Sequence, residues 1–161
     1  MDWYWLVSVA YLGGYQVIER CGDIFDQPDG DAICFTSNGV VKANGELVMG
    51  GGVAKAFYNK QPGLAKEFGF KVKAYGNHVH WTGVEWKQWV VSFPTKNHWK
   101  NPSSLKLIAQ SAKELVELTN EKGWKKVYLP YPGIGLGGLN KEDVRKVISP
   151  ILDDRFIVLV K

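Results

Sequence analysis

The chain has 161 residues, of which 45% are hydrophobic and 22% charged, and its formal net charge at pH 7 is +4. These values are ordinary for one soluble globular domain with a core of its own, and they argue against a disordered or low-complexity chain. The small positive charge suits an anionic ligand, but the lysines are spread along the chain. Charge alone therefore does not indicate a nucleic-acid-binding protein.

The cysteines, the histidines and the N-terminus bear on location and metal binding. Cys21 and Cys34 show no metal-ligand spacing and imply no disulfide framework, which suits a reducing cytosol. His78 and His80 lack a third ligand, so we expect neither a metal site nor a cofactor. The first six residues lack the basic and leucine-rich regions of a signal peptide, and no apolar run approaches the roughly 20 residues of a membrane span. We expect a cytoplasmic monomer with no membrane partner.

The first half of the chain predicts short strands followed by helices. Apolar, β-branched and aromatic runs indicate strands at residues 5–11, 15–20 and 32–36, and the last of these lacks polar alternation, as an interior strand does. A long loop rich in Gly and Asn, residues 37–52, leads into a helix that starts at Val53 and stops at Pro62. A helical turn then ends at Gly69, and residues 71–89 have a β-like pattern.

The second half alternates in the same way. Residues 90–93, 126–129 and 156–160 are apolar runs that predict buried strands. Asn101 and Pro102 suit the start of a long helix that ends at Gly123, and Asn140 suits the cap of a last helix. The alternation predicts an α/β protein with a mixed, mostly parallel central sheet between helical layers. We take residues 1–161 as one domain, with an extra N-terminal strand within residues 1–14.

Two glycine-rich loops each connect a predicted strand to a predicted helix. They contain Gly50–Gly52 and Gly133–Gly138, and the second has four glycines in six residues, more than a structural turn needs. Loops with so little side-chain bulk let backbone amides approach a phosphate closely. Ligands of such sheets lie beyond the carboxyl ends of the strands. Both loops and the loop from Pro94 to Lys100 should therefore meet at one rim and form a phosphate-binding cleft.

The run Gly133–Gly138 formally satisfies the G-x-G-x-x-G pattern of dinucleotide-binding proteins. That motif belongs in the first strand–helix turn of a fold with further repeats after it. Here one helix and one strand follow, and the acidic pair Asp153–Asp154 precedes the next strand. The pattern therefore argues against a nicotinamide-dependent dehydrogenase.

Several motifs together resemble the macro domain family, which binds ADP-ribose. They are Gly22-Asp23-Ile24, Asn44-x-x-Leu47 followed by Gly50–Val53, and the glycine segment Pro130–Leu139. Residues 37–39 add a Ser-Asn-Gly that most macro domains lack, so the register of this loop is open between Asn38 and Asn44. The stretch of residues 93–99, followed after a few residues by serine, resembles the bacterial and phage branch that includes antitoxins removing ADP-ribose from DNA bases. A related branch removes ADP-ribose from acidic side chains.

The resemblance implies a three-layer α/β/α fold and a role for each matching residue. Asp23, beside Ile24, would accept a hydrogen bond from the adenine amino group, although it could merely cap the next turn. Asn44, or Asn38 in the other register, would bind the distal ribose hydroxyls, and Lys96 would be the catalytic lysine. One glycine loop would hold the pyrophosphate and part of the distal ribose from below: Gly50, Gly51, Gly52, Val53 and Ala54. The other would close over them from above: Gly133, Ile134, Gly135, Leu136 and Gly137.

Lys96 has three possible roles near an anomeric carbon. It can attack as an amine, stabilise a leaving group by its charge, or bind phosphate. His98 would share the side of Lys96 in an extended chain and could act as a general acid–base. The branch acting on acidic side chains pairs its lysine with an aspartate where this chain has Gly137, so the resemblance favours the DNA-type pattern. An ordinary surface lysine and an ordinary loop histidine are the simpler interpretations.

These observations lead to several functional hypotheses. The first is a hydrolase that cleaves an ADP-ribosyl linkage on a DNA base or a protein side chain, with a phosphatase acting on ADP-ribose 1''-phosphate as a variant. The second is a reader that binds ADP-ribose or an ADP-ribosylated macromolecule without turnover. The third is a basic α/β nucleic-acid-binding module, which should lose affinity steeply as salt rises. The partners expected are therefore ADP-ribose, an ADP-ribosylated macromolecule and a nucleic-acid substrate.

Overall fold

A computed structural model describes residues 17–83 and 86–161. Within those ranges the strands are β1 (Ile18–Cys21), β2 (Ala32–Ser37), β3 (His80–Thr82), β4 (Trp89–Pro94), β5 (Val127–Pro130) and β6 (Phe156–Val160). The α-helices are α1 (Gly52–Lys60), α2 (Gly63–Tyr75), α3 (Leu105–Lys122) and α4 (Lys141–Ile148), and a 3-10 turn spans Ile24–Asp26. The strand expected at residues 5–11, which is the extra N-terminal strand expected within residues 1–14, lies outside the described residues.

The strands form one sheet in the order β1-β6-β5-β2-β4-β3. All neighbouring pairs are parallel except β3 and β4, which are antiparallel. In the centre of the sheet Ala32 of β2 pairs with Trp89 of β4 on one side and with Val127 of β5 on the other. The prediction of a mixed, mostly parallel sheet is confirmed.

Two helices cover each face of the sheet. Successive residues of a strand point to opposite faces, so one strand contributes side chains to both cores. Along β2, Cys34 contributes to one core, and Ile33 and Phe35 contribute to the other. The first core contains residues of α3 and α4: Ile108, Ala112, Leu115, Val144 and Ile148. The second contains residues of α1 and α2: Ala54, Phe57, Leu64, Phe68 and Val72. The fold is therefore the expected three-layer α/β/α arrangement.

Helix α2 differs from its sequence prediction. The predicted stop at Gly69 and the predicted β-like pattern from residue 71 are wrong, because α2 continues to Tyr75 and β3 is confined to His80–Thr82. Gly69 instead lets α2 approach a neighbouring loop, since a Cβ there would lie 2.0 Å from the carbonyl oxygen of Gly45. The helix is followed by Gly76, whose φ of 97° is in the left-handed region.

The caps of the later helices fit the sequence in part. Helix α3 begins after Ser104, whose hydroxyl accepts a hydrogen bond from the Leu107 amide at 3.2 Å, so the predicted start at Asn101 and Pro102 is three residues early. Its predicted end is confirmed, since Gly123 is the C-cap with φ 71°. Asn140 caps α4 by accepting from the Glu142 amide at 2.8 Å. In the described part of the chain, no helix combines the length and the apolar character that crossing a bilayer would require.

Candidate functional site

A cleft of about 650 Å³ lies beyond the carboxyl ends of β2, β4 and β5, a volume typical of small-molecule sites. Three segments line it. From β2 through the start of α1 come Thr36, Ser37, Asn38, Val48 and Gly50–Ala54; after β4 come Thr95, Lys96, Trp99 and Ser103; from the end of β5 onward come Pro130, Tyr131, Gly133 and Gly135–Gly137. Lys96 is the one charged side chain among these lining residues, and none of them carries a carboxylate. The cleft is therefore electrostatically suited to an anion.

The first glycine loop presents the N-terminus of α1 to the cleft. Gly51 is the N-cap, and Gly52 adopts a φ of 57° that favours glycine. The Lys55 amide donates to the Gly51 carbonyl at 3.2 Å, so the amides of residues 52–54 precede the first helical hydrogen bond. These amides and the positive end of the helix dipole favour a phosphate at this position.

The second glycine loop folds tightly over α3. The Leu139 amide donates to the Gly133 carbonyl at 2.9 Å, and Gly133 has a φ of 77°. A Cβ at Gly133 would lie 2.9 Å from Cδ1 of Ile108, whereas a Cβ at Gly135 would meet nothing within 4 Å. Gly133 is therefore required by packing, and Gly135 faces open space on the cleft side.

The two glycine loops meet across the cleft. A Cβ at Gly51 would lie 2.7 Å from Cδ1 of Leu136, and one at Gly52 would lie 3.9 Å from the same atom. Leu136 is nevertheless 78% exposed, so it reaches across the mouth of the cleft and leaves the interior open. Apart from Ile134, the residues that the sequence assigned to the two sides of a phosphate clamp therefore line one cleft.

Asn38 lies at the cleft and Asn44 does not. The Asn38 side chain is buried, donates to the Val48 carbonyl at 3.0 Å and accepts from the Val40 amide at 2.9 Å. Asn44 is exposed and is not among the lining residues, because its side chain closes a local turn by accepting from the Glu46 amide at 3.0 Å. Of the two asparagines between which the sequence left the register open, Asn38 is therefore the one at the cleft.

Lys96 is held on a loop that is fixed at several points. The Thr95 amide donates to the Ser37 carbonyl at 3.0 Å, and Nδ2 of Asn77 donates to the Lys96 carbonyl at 3.2 Å. The Ser104 amide donates to the Thr95 carbonyl at 2.8 Å, which ties the end of the loop to its start. The Lys96 amine forms no ion pair with any residue that the structure describes. It is available to a ligand.

His98 was expected beside Lys96, but the structure keeps it out of the cleft lining. Residues 98–101 form a turn in which the Asn101 amide donates to the His98 carbonyl at 3.0 Å, so the alternation of an extended chain does not apply. Nδ1 of His98 accepts from the Lys100 amide at 3.0 Å, and its ring lies 5.2 Å from that of Trp99. His98 therefore supports its own loop.

Asp23, Ile24 and Ile134 also lie outside the cleft lining. Asp23 caps the 3-10 turn by accepting from the Phe25 amide at 2.9 Å, and Ile24 is buried in the core. Both follow β1, at the far edge of the sheet from the Lys96 loop. Ile134 packs against the core formed by α3 and α4.

Ser103 and Tyr131 line the cleft although the sequence analysis gave neither of them a role. Tyr131 donates its hydroxyl to Glu19 at 3.3 Å, and burial together with the charge of Glu19 raises the pKa of Tyr131. The Ser103 amide donates to the Gly137 carbonyl at 2.9 Å. A local signal for Tyr131 exists, since it lies between two prolines at the start of the glycine loop. For Ser103 the signal is the serine that follows the stretch of residues 93–99 after a few residues, although that motif gave it no role.

Curated proteins with related sequences match about a third of this chain. The DNA ADP-ribosyl glycohydrolase of Mycobacterium tuberculosis is 39% identical over 57 residues, which are 35% of this chain and 16% of that protein. The DNA ADP-ribosyl transferase–DNA ADP-ribosyl glycohydrolase fusion protein of Thermosipho africanus is 45% identical over 51 residues, or 32% of this chain and 13% of that protein. These matches span less than a fifth of the length of the curated relatives.

Solved structures match nearly all of the chain. The macrodomain of Mycobacterium tuberculosis DarG superposes with a TM-score of 0.74 at 26% identity, covering 92% of this chain and 99% of that one. Thermosipho africanus DarTG in complex with ADP-ribose shares the fold, with a TM-score of 0.72 at 23% identity over 90% of this chain and 42% of that one. The Macro domain family model matches residues 40–148, more than half of the chain. The chain therefore belongs to the macro domain family.

Proposed function

We propose that this macro domain binds ADP-ribose in the cleft and hydrolyses an ADP-ribosyl linkage at the distal ribose, with an ADP-ribosylated DNA base as its substrate. The observation that carries the proposal is the position of Lys96, the one charged lining residue, in a cleft that two glycine loops also line. The relatives named above as DNA ADP-ribosyl glycohydrolases support the choice of a DNA base.

The strand order supports a ligand that lies along the rim of the sheet. Asp23 follows β1 and Lys96 follows β4, which are four steps apart in the sheet, or about 19 Å at the usual strand spacing. The glycine loop after β5 and the N-terminus of α1 lie between them. This order suits adenine near Asp23, the pyrophosphate at the glycine loops and the distal ribose between Asn38 and Lys96. A carboxylate can accept several hydrogen bonds, so capping the 3-10 turn leaves Asp23 acceptors for adenine.

The chemistry falls to Lys96 because no lining residue supplies a carboxylate. The amine can attack the anomeric carbon, or the ammonium can stabilise the negative charge that develops on the departing base. Asn38 retains one amide hydrogen and one lone pair for the ribose hydroxyls after its two backbone bonds. An aspartate partner for the lysine is disfavoured at position 137, where a Cβ would lie 2.5 Å from the Gly133 carbonyl oxygen.

Turnover assays test the proposal. Wild type and Lys96→Ala are incubated with single-stranded DNA carrying ADP-ribose on a base, with an ADP-ribosylated protein and with ADP-ribose 1''-phosphate, and released products are separated by chromatography. Wild type should release ADP-ribose from DNA, and Lys96→Ala should be slower by at least about 100-fold. Lys96→Arg keeps the charge but not the nucleophilic amine, so its activity separates the two roles of the lysine.

A reader that binds without turnover is the second candidate, because the cleft lining offers no carboxylate to activate water. Calorimetric titration with ADP-ribose, and with AMP as the control, separates the possibilities. Binding of ADP-ribose without release from any of the three substrates would leave only the reader. Absence of ADP-ribose binding to wild type would reject both candidates.

A further inference from the structure

Trp99 is a large apolar side chain that lines the cleft and yet remains 48% exposed. It stands three residues after Lys96 on the same fixed loop. A half-exposed indole that lines a cleft can contact a bound group, and covering it with another ring lowers the free energy of the complex. The proposed ADP-ribose site leaves Trp99 without a role.

The indole ring is held by its own loop. The ring of His98 lies 5.2 Å from it with an interplanar angle of 33°, and Nζ of Lys100 lies 5.3 Å from its centroid. The turn that places these groups is closed by the Lys100 amide, which donates to Nδ1 of His98 at 3.0 Å. The Lys100 ammonium thus lies over the indole ring of Trp99, and an aromatic ring with a cation at hand is the combination that binds bases of single-stranded nucleic acids.

The position of Trp99 along the rim indicates which part of a ligand would reach it. Its loop follows β4, and Asp23 follows β1 four strands away. With adenine at the Asp23 end, the group next to Lys96 and Trp99 is the one attached to the distal ribose. Trp99 would therefore contact the modified base and not adenine.

The charge of the surrounding segment favours a polyanion. The sequence between Glu85 and Glu114 contains no aspartate or glutamate, and it includes Lys96, Lys100 and Lys106. Lysines beside an aromatic platform can contact the backbone phosphates on either side of a stacked base. An acidic protein segment would satisfy the lysines but would leave the indole uncovered.

We propose that Trp99 and Lys100 form the subsite for the nucleobase that carries ADP-ribose: the base stacks on Trp99, and Lys100 contacts an adjacent phosphate. This inference rests on the proposed function and adds to it the residues that recognise the attached group. It assigns Trp99 to substrate discrimination and leaves the ADP-ribose clamp to the glycine loops.

The test uses a single-stranded oligonucleotide that carries ADP-ribose on one base, prepared with a DNA ADP-ribosyl transferase. Trp99→Ala should raise the KM for this substrate by about 10-fold, while Trp99→Phe stays within about threefold of wild type. Affinity for free ADP-ribose should change by no more than about twofold in both variants. Lys100→Ala should reduce the slope of log affinity against log salt by about 0.7, the value expected for one lost contact with single-stranded DNA.

Phe70→Ala is the matched control, because Phe70 is an exposed aromatic residue of α2 that does not line the cleft. Equal KM values for Trp99→Ala and Phe70→Ala would overturn the inference, as would an equal loss of affinity for free ADP-ribose and for the oligonucleotide. A wild type that releases ADP-ribose from protein and not from DNA would also overturn it. Failure of wild type to bind ADP-ribose is a separate result, which rejects the proposed function itself.

Discussion

The hydroxyl of Ser103 occupies the space that a side chain at position 137 would need. A Cβ at Gly137 would lie 2.2 Å from Oγ of Ser103 and 2.5 Å from the Gly133 carbonyl oxygen. Oγ of Ser103 has no hydrogen-bond partner among the described residues, and the Ser103 amide donates to the Gly137 carbonyl at 2.9 Å. The glycine loop therefore packs on the segment that precedes α3, and position 137 has no room for a carboxylate side chain.

Gly137→Ala should destabilise the protein. The added methyl group meets backbone as well as Ser103, so the loop must move, at a cost of about 1–3 kcal/mol in the free energy of unfolding. Gly135→Ala is the control, since a Cβ there meets nothing within 4 Å and its φ is not in the left-handed region. Urea unfolding measures both variants. Equal midpoints would contradict the steric account of Gly137.

Gly135→Glu should fold normally and lose ADP-ribose binding. The side chain enters open space at the cleft, where its charge repels a pyrophosphate. We expect wild type to bind ADP-ribose in the micromolar range, about −8 kcal/mol, and this variant to bind at least about 100-fold more weakly. Gly135→Gln is the matched control, because its side chain has nearly the same size as that of glutamate but carries no charge. A thermal unfolding midpoint close to that of wild type, together with undiminished calorimetric affinity, would show that the ligand does not pass Gly135.

The parts of the site that the sequence predicts are those with local causes. Glycines clustered after apolar runs indicate loops between strands and helices, and parallel strands bring such loops to one rim. The macro-domain resemblance added Lys96, whose place at the cleft follows from the end of β4. The position of the loops follows from the chain order, and the choice of Lys96 follows from the resemblance, so both could be made from the sequence.

The parts that the sequence could not predict are decided by tertiary contacts. Asn38 and Asn44 both suit turns, and the choice between them depends on how the intervening loop packs on α2. Gly69 looks like a helix stop, but glycine is needed there because the backbone of another loop lies against the helix. His98 shares no face with Lys96, because a turn begins at His98 and ends the extended chain.

Gly69→Ala should be one of the more damaging single-methyl additions in α2. A Cβ at position 69 would lie 2.0 Å from the Gly45 carbonyl oxygen and 2.7 Å from the Leu47 amide nitrogen, and neither is a flexible side chain. We expect a loss of about 2–3 kcal/mol in the free energy of unfolding. Gly63→Ala, in the first turn of the same helix, meets nothing within 4 Å and should be neutral or stabilising.

Denaturant unfolding of the Gly69→Ala and Gly63→Ala variants provides the measurement. Because the loop that packs on Gly69 continues to Val48, whose carbonyl accepts from Asn38, ADP-ribose affinity should also fall in Gly69→Ala and stay unchanged in Gly63→Ala. A Gly69→Ala protein as stable as Gly63→Ala would show that the loop can shift at no cost.

The protein should lose stability in acid, because the stabilising contribution of the Glu19 carboxylate is lost there. Burial by itself would raise the pKa of Glu19, but hydrogen bonds and charge from Arg145, with the charge of Lys141, hold its pKa below the ordinary value of 4.5. Arg145 donates to both carboxylate oxygens, at 2.6 and 3.0 Å, and so ties α4 to β1. A group whose folded pKa is lowered stabilises the protein above its unfolded pKa, and this contribution is lost as pH falls through the folded pKa.

Glu19→Gln should therefore cost about 2 kcal/mol in the free energy of unfolding at pH 7, and the difference from wild type should shrink as the pH is lowered from 4.5 towards 3. Glu46→Gln is the control, because Glu46 faces Lys42 at 4.0 Å and that lysine is half exposed, so the pair contributes little. Urea titrations at pH 7, 4.5 and 3 give the free energy of unfolding of wild type and of each variant at each pH. A difference between wild type and Glu19→Gln that is constant across this range would mean that the carboxylate charge does not hold α4 against β1.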